Sequence, residues 1–236
     1  MLLRLALTLT IIGVSQQGHA QAISSAVKRA TPMITLRIYN HGVSHALLVR
    51  SEGEATAILN HAGLEVGWVD CPLSAGESAS YPACRNTMSS TEFTIKILTA
   101  GDARRIATHG DDLGEALECL GDHSGCSAYV FYRDVRELTR GEDVSESQLL
   151  GHALAHEIGH LLLGARSHTA NGIMRAHWHQ QELCTIARAH LFFTDEQSER
   201  LRAGVSRLNS NQQNQTPNAG PEDPQEAFNS MNGQKK

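Results

Sequence analysis

The 236-residue chain has few aromatic residues and nearly balanced charges. Aromatic side chains make up 5% of the sequence, which argues against a surface that binds bases or sugars by stacking. The formal net charge of -5 gives no reason to expect binding to nucleic acid or to an anionic membrane. The sequence also lacks internal repeats, a nucleophile elbow and a glycine-rich phosphate loop. An apolar content of 41% is enough for a real core, so the length predicts one domain with tails.

Long apolar runs are absent except near the N-terminus. Arg4 precedes the apolar run 5–14, and the small residues Gly18 and Ala20 follow it. This order of a positive residue, a short apolar run and small residues is typical of a signal peptide. We therefore expect residues 1–20 to be removed, the mature chain to begin near Gln21, and the protein to be secreted or periplasmic. No later segment reads as a transmembrane helix.

The five cysteines contain no C-x-x-C pair, which argues against a four-cysteine zinc site. An exported chain can form disulfides. Proximity in sequence favours the pairs Cys71–Cys84 and Cys119–Cys126, which leaves Cys184 unpaired. Other connectivities remain open at this point.

Residues 31–208 are expected to form one domain, in which hydrophobic periodicity indicates both strands and helices. Alternation of apolar and polar residues indicates strands, and spacing of three to four indicates helices. The segment 114–120 fits either a short strand or a turn. Residues 209–236 are rich in Asn, Gln, Pro, Gly and charge, and are expected to form a disordered tail. The strand patterns cover 34–39, 64–69, 93–98 and 128–132, and the helical patterns cover 43–62, 144–164 and 194–208.

The segment 144–164 is the clearest helix in the sequence. Ser145 and Gln148 form an S-x-x-Q capping box at its start, and Gly164 suits its end. His156 and His160 lie four residues apart on this helix. Four residues turn an α-helix by about 400°, so the two imidazoles leave the same face and can bind one zinc ion. Glu157 follows the first histidine, where its carboxylate could take a proton from a water activated by that ion.

The stretch from His156 to His168, followed by Met174, resembles the metzincin zinc signature H-E-x-x-H-x-x-G-x-x-H with its downstream methionine. The resemblance implies a zincin-like α/β fold of matrixin type, with a twisted mixed sheet of four or five strands, two long helices and a small C-terminal subdomain. It implies zinc as the cofactor, bound by His156, His160 and His168, and Glu157 as the catalytic base. It also implies a zinc endopeptidase that acts on peptides or proteins held against a strand edge above the cleft.

This chain departs from the metzincin pattern in its spacing. Gly164 comes one residue later than the glycine of the signature, and His168 comes two residues later than its third histidine. The turn after the helix must therefore accommodate two extra residues if His168 is to reach the metal.

Other metal ligands fit the sequence as well. Glu182 could act as the third ligand, as in gluzincins, and His177 and His179 could bind metal or substrate. His152 could pair with His156 at the same spacing of four, but no glutamate follows it, so this pair would bind metal without a base. We interpret His152 as a helix-packing or supporting residue, and Tyr129 and Tyr132 as strand residues.

A non-catalytic exported domain that binds zinc or a partner is the rival interpretation of the whole chain. Glu157 favours the enzyme, because a peptidase needs this carboxylate and a zinc-binding module does not. The sequence indicates neither the natural substrate nor the oligomeric state.

Overall fold

The computed structural model describes residues 30–74, 76–99, 113–117 and 126–215. Within these ranges five strands form one mixed sheet in the order β2-β1-β3-β5-β4. The first four strands in this order run parallel, and the edge strand β4 pairs antiparallel with β5. The strands are β1 (Met33–Asn40), β2 (Glu65–Cys71), β3 (Glu92–Leu98), β4 (Gly114–Ala116) and β5 (Ser127–Phe131).

The predicted fold class is confirmed by this five-stranded mixed sheet with its helices, and the undecided segment at residue 114 is a short strand. Each of the four predicted strands is present with ends shifted by only one or two residues. The helices are α1 (His45–His61), α2 (Pro82–Arg85), α3 (Tyr132–Leu138), α4 (Glu146–Leu163), α5 (Gln180–Arg188) and α6 (Asp195–Gln215), with a 3-10 turn at Glu77–Ser80.

Strand β1 lies inside the sheet, between β2 and β3. Its alternating residues Ile34, Leu36 and Ile38 are buried, as are Phe93 and Ile95 of β3. Leu36 pairs with Phe93, and Ile38 pairs with Ile95. The period-two pattern in the sequence thus corresponds to one buried face of the sheet.

Helices α1 and α4 pack against each other more extensively than any other pair of helices. Gly151 lies at their contact, where an added β-carbon would come within 2.7 Å of the Ser51 carbonyl oxygen. A glycine here lets the two backbones approach closely. Helix α4 also contacts β4 and β5, so it lies beneath the antiparallel edge of the sheet.

The segments after α4 share this core. Leu183 and Ile186 of α5, Phe193, and Leu201 and Val205 of α6 belong to the same buried apolar cluster as the sheet. The described residues from Thr31 onward belong to one compact unit, and the expected C-terminal subdomain is built onto the sheet's own core. In the described part of the chain, no helix is long and apolar enough to cross a membrane.

The start of the expected tail at residue 209 is too early, because α6 continues to Gln215. Ser90 anchors this extension: its hydroxyl donates to the Leu208 carbonyl at 3.0 Å and to the Gln212 side-chain oxygen at 3.2 Å. Composition alone could not show this tertiary contact. Residues 216–236 and the expected signal peptide, residues 1–20, lie outside the described residues.

The predicted disulfide Cys71–Cys84 is present, and Cys184 is a free thiol as expected. Cys126 is disulfide-bonded. Its predicted partner Cys119 lies outside the described residues, so the pair Cys119–Cys126 stays a prediction.

Candidate metal centre

Three histidine side chains converge beneath the edge strand β4. The His160 Nε2 atom lies 3.0 Å from His156 Nε2 and 2.9 Å from His168 Nε2. One nitrogen from each of the three rings falls within 4.8 Å of the other two. The sequence predicted these three residues as one group, and the structure brings them together.

Helix α4 positions two of the three histidines. Its start is fixed by the predicted capping box: the Ser145 hydroxyl accepts from the Gln148 amide, and the Gln148 side chain accepts from the Ser145 amide. His156 and His160 then leave one face of the helix, one turn apart, and both are buried.

The turn after α4 accommodates the two extra residues and brings back the third histidine. Gly164 ends the helix with φ 100° and ψ 159°, a conformation essentially restricted to glycine. Ala165 and Arg166 form an exposed turn, and Ser167 returns to the interior. The longer spacing is therefore absorbed at the surface, and His168 still reaches His160.

Hydrogen bonds to the Nδ1 atoms fix the orientation of the two helical histidines. His156 Nδ1 lies 2.7 Å from the Ile173 carbonyl oxygen, which can only accept, so this nitrogen donates. His160 Nδ1 lies 3.3 Å from the Gly164 carbonyl oxygen and 3.0 Å from the Ser167 hydroxyl. With the protons on Nδ1, the Nε2 lone pairs of both rings point into the site.

Burial keeps these imidazoles neutral. It lowers the pKa of His156 to about 3, with a further contribution from the neighbouring His160. Burial also lowers the pKa of His160. Neutral imidazole is the form that binds a metal, so the lone pairs are available at neutral pH.

The arrangement fits a zinc ion. The His160 Nε2 lone pair lies about 3 Å from those of His156 and His168, and such lone pairs repel one another unless a cation lies among them. Donors of a tetrahedral zinc site, with Zn–N distances of 2.0–2.1 Å, lie about 3.3 Å apart. Carbonyl and hydroxyl partners on the outer nitrogens are also typical of metal-binding histidines. We find that this donor set suits zinc with three protein ligands and a fourth position open.

Glu157 lies directly under strand β4. Its side chain is 4% exposed. A β-carbon built on Gly114 would come within 2.6 Å of the Cγ, Cδ and Oε1 atoms of Glu157. Glycine at position 114 therefore gives the carboxyl group its space between helix α4 and the edge strand.

Met174, the downstream methionine of the resemblance, packs against helix α4 at Gly159, between the two helical histidines. It is fully buried, and its sulfur lies 2.5 Å from a β-carbon built on Gly159. The Phe193 ring lies 2.8 Å from the same position. Gly159, between the two helical histidines, thus lets the helix rest directly on Met174 and Phe193.

A cleft of about 1310 Å³ opens above the three histidines. Strand β4 forms one side, and the face of α3 that carries Asp134, Glu137 and Leu138 contributes to the wall. The segment 175–179 lines another part of the cleft, with Trp178 packed edge-on against the His156 ring at a centroid distance of 5.7 Å.

The rival ligands have other partners or positions. Both carboxylate oxygens of Glu182 are occupied, one by Arg175 at 2.8 Å and one by the His179 amide at 2.9 Å. Glu182 thus caps helix α5. His177 and His179 are exposed along the cleft and are not part of the three-histidine group.

The interpretation of the two tyrosines as strand residues is right for Tyr129 and wrong for Tyr132, because β5 ends at Phe131. Tyr129 is a residue of β5. Tyr132 begins α3, and its hydroxyl donates to Glu146 at 2.5 Å. Burial, and then this hydrogen bond to Glu146, raise the pKa of Tyr132 to about 12.

Sequence reasoning missed several groups that complete the site. Four groups contact or flank the predicted residues but lie outside the H-E-x-x-H motif: Ser167, the Ile173 carbonyl, Gly114 and Trp178. Two residues could have been noticed in the sequence. A glycine within a long helix, such as Gly159, often indicates close packing, and a serine beside a candidate ligand, such as Ser167, can indicate a hydrogen bond to it. The contact between β4 and Glu157 is tertiary and has no local signature.

No known protein family and no curated protein matches the sequence. Among the solved structures, two of those that this chain is similar to are zinc-dependent or archaemetzincin proteins. One is an archaemetzincin from Methanopyrus kandleri, with 17% identity over 76% of this chain and 99% of that chain, and a TM-score of 0.42. The other is a zinc-dependent peptidase from Methanocorpusculum labreanum, with 16% identity over 71% of this chain and 99% of that chain, and a TM-score of 0.45. The function proposed below rests on the histidine geometry and not on these similarities.

Proposed function

We propose that the chain is an exported zinc-dependent endopeptidase in which His156, His160 and His168 bind the metal and Glu157 is the catalytic base. One observation carries the proposal: three Nε2 atoms converge at 2.9–3.0 Å contacts in a cleft, with a glutamate next to the first histidine. A purely structural zinc site is closed by four protein ligands, whereas three ligands leave a position for water.

The chemistry would need few groups. Bound zinc would lower the pKa of a water and polarise the scissile carbonyl. Glu157 would accept the proton of that water at a carboxylate oxygen and then deliver it to the departing peptide nitrogen. The low exposure of Glu157 supports this role, because a carboxylate screened from bulk water interacts strongly with the charges around it.

The edge strand would hold the substrate. Strand β4 pairs with β5 on one side and is the last strand of the described sheet. An extended peptide could pair with its other side and so lie across Glu157. The cleft is open and runs alongside β4, which supports a polypeptide substrate.

Export is the second part of the proposal. The disulfide Cys71–Cys84 supports an oxidising compartment, and the pattern in residues 1–20 supports a signal peptide. Sequencing the N-terminus of protein recovered from the periplasm or the medium should find a start near Gln21. A cytoplasmic product with Met1 intact would refute export without touching the metal site.

The test of the reaction combines metal content and hydrolysis. The protein should hold about one zinc per chain and cleave an unfolded protein substrate. The Glu157→Gln variant should keep its zinc and lose hydrolysis, because the water loses its proton acceptor. Glu199→Gln, an exposed change on α6, is the matched control and should retain both. Full activity of Glu157→Gln would remove the motif from the mechanism.

The rival function is a non-catalytic zinc-binding domain. The contact between Gly114 and Glu157 favours it in one respect, because the edge strand lies close over the carboxyl group and leaves little room there. Zinc binding by the parent protein, without cleavage of any member of a peptide library, would establish this rival.

A further inference from the structure

His152 is a buried histidine that the proposed reaction does not use. It is fully buried in α4, four residues before His156. Its Nδ1 lies 2.8 Å from the Gln148 carbonyl oxygen, which can only accept, so Nδ1 carries the proton. Its Nε2 then accepts the hydrogen bond that the Leu191 amide donates at 3.0 Å. Burial keeps the imidazole neutral by lowering its pKa to about 4.

The Leu191 amide belongs to a segment that is hydrogen-bonded to the backbone just before Met174. One residue further on, the Phe192 carbonyl accepts from the Ile173 amide at 2.9 Å. The Ile173 carbonyl in turn accepts from His156 Nδ1 at 2.7 Å. Four hydrogen bonds thus form a chain that starts and ends on helix α4. The chain runs from Gln148 through His152, the segment 191–192 and Ile173 to His156.

Glycine permits the close contact in the middle of this connection. Gly172 has φ 77°, and a β-carbon there would come within 2.8 Å of the Phe192 carbonyl oxygen. The backbone before Ile173 therefore lies directly against the segment that His152 holds. A shift of Leu191 would move Phe192 and, through it, the carbonyl that orients His156.

We propose that His152 is a positioning residue for the metal centre, acting through Leu191, Phe192 and Ile173 on the orientation of His156. The inference rests on the proposed zinc site. Partners of metal-binding histidines typically change metal affinity by 10–100-fold when they are removed. His152 does not contact a metal-binding histidine directly. The segment 191–192 is also held by the neighbouring residue His190, whose Nε2 lies 2.8 Å from a Glu54 carboxylate oxygen. The expected loss of zinc affinity is therefore about tenfold, at the lower end of that range.

Two substitutions separate this role from simple packing. Asparagine places its amide near the position of Nδ1, so His152→Asn keeps a donor for Gln148 and loses the acceptor for Leu191. Glutamine places its oxygen near the position of Nε2, so His152→Gln keeps the acceptor. Leu150→Ala, a fully buried change on the same helix, is the control for general destabilisation.

The experiment measures zinc affinity by competition with a chromogenic chelator, together with urea unfolding. His152→Asn should bind zinc about tenfold more weakly than the parent. His152→Gln should stay near the parent, and Leu150→Ala should lose stability without a matching loss of affinity. Equal affinity for both His152 variants, or a Leu150→Ala loss as large as that of His152→Asn, would overturn the inference. A parent protein that binds no zinc would instead refute the proposed function.

A second measurement needs no variant. In the ¹⁵N-labelled parent, the two ring nitrogens of His152 report which one carries the proton. A proton on Nδ1 supports the connection to Leu191. A proton on Nε2 would overturn the inference, because Nε2 could not then accept from the Leu191 amide.

Discussion

The two sides of the metal centre are built differently. His156 and His160 are buried on a capped helix that belongs to the apolar core, whereas His168 is an exposed residue on the turn that follows. The helix fixes the spacing of its two imidazoles before any metal binds. The position of His168 depends instead on Gly164, on the exposed turn and on Ser167. The helical side should therefore contribute preorganisation, and the loop side should be the one that metal binding orders.

The largest effect should come from removing a ligand on either side. We expect His160→Ala to lower zinc affinity by more than about 100-fold, the upper end for changes in supporting residues. The His160 Nε2 atom lies 2.9–3.0 Å from the Nε2 atoms of both other rings, so its loss removes the donor that both of them face. His168→Ala should lower affinity less, because His156 and His160 remain paired on the helix. Chelator competition measures both, and a His168→Ala loss larger than that of His160→Ala would reverse the comparison.

The next effect tests how tightly the helical side is packed. Gly159→Ala should destabilise the fold by about 1–3 kcal/mol, because its β-carbon would overlap Met174 and Phe193. Gly53→Ala is the matched control in helix α1, where an added β-carbon meets nothing within 4 Å. That control should stabilise the protein by about 0.5–1 kcal/mol, since alanine favours the helix over glycine. Urea unfolding measures both changes, and a neutral Gly159→Ala would show that Met174 and Phe193 pack loosely against α4.

The loop side is tested by the glycine that begins it. Gly164→Ala should cost about 1–3 kcal/mol because alanine avoids its backbone conformation. It should also weaken zinc binding by moving His168. Gly141→Ala is the matched control, with φ 79° and open space around its β-carbon, in a turn outside the metal centre. It should lose stability and keep zinc affinity. If both variants bind zinc like the parent, the turn does not position His168.

The sequence predicted the features that depend on neighbouring residues, and it missed the contacts between residues that are far apart in the chain. Strand β1, helix α4 and the capping box at Ser145 follow from local periodicity and local hydrogen bonding, and all are present. The three-histidine group was predicted from the motif, although the turn that delivers His168 is longer than usual. The contact of Gly114 with Glu157 and the extension of α6 to Gln215 depend on residues far apart in sequence. Local sequence patterns do not predict such tertiary contacts.

The smallest expected effect concerns helix α1, which packs against α4. The Oε1 atom of Glu52 on this helix is buried and has no hydrogen-bond partner among the described residues. Burial, and then the charge of Asp70, raises the pKa of Glu52 from 4.5 to about 7. The folded protein therefore binds a proton between these values that the unfolded chain has released. The stability that Glu52 contributes is present below about pH 4.5 and is lost as the pH rises through 7.

Glu52→Gln should remove this pH dependence, because a neutral amide replaces the group that ionises. The variant should be more stable than the parent at pH 8, and the advantage should shrink toward pH 5. Asp70→Asn should leave a smaller pH dependence rather than none, since burial is the larger cause of the shift. Urea unfolding of the parent and both variants at the two pH values measures this. A parent whose stability is the same at pH 5 and pH 8, with Glu52→Gln parallel to it, would show that Glu52 ionises freely and that water reaches this side of α1.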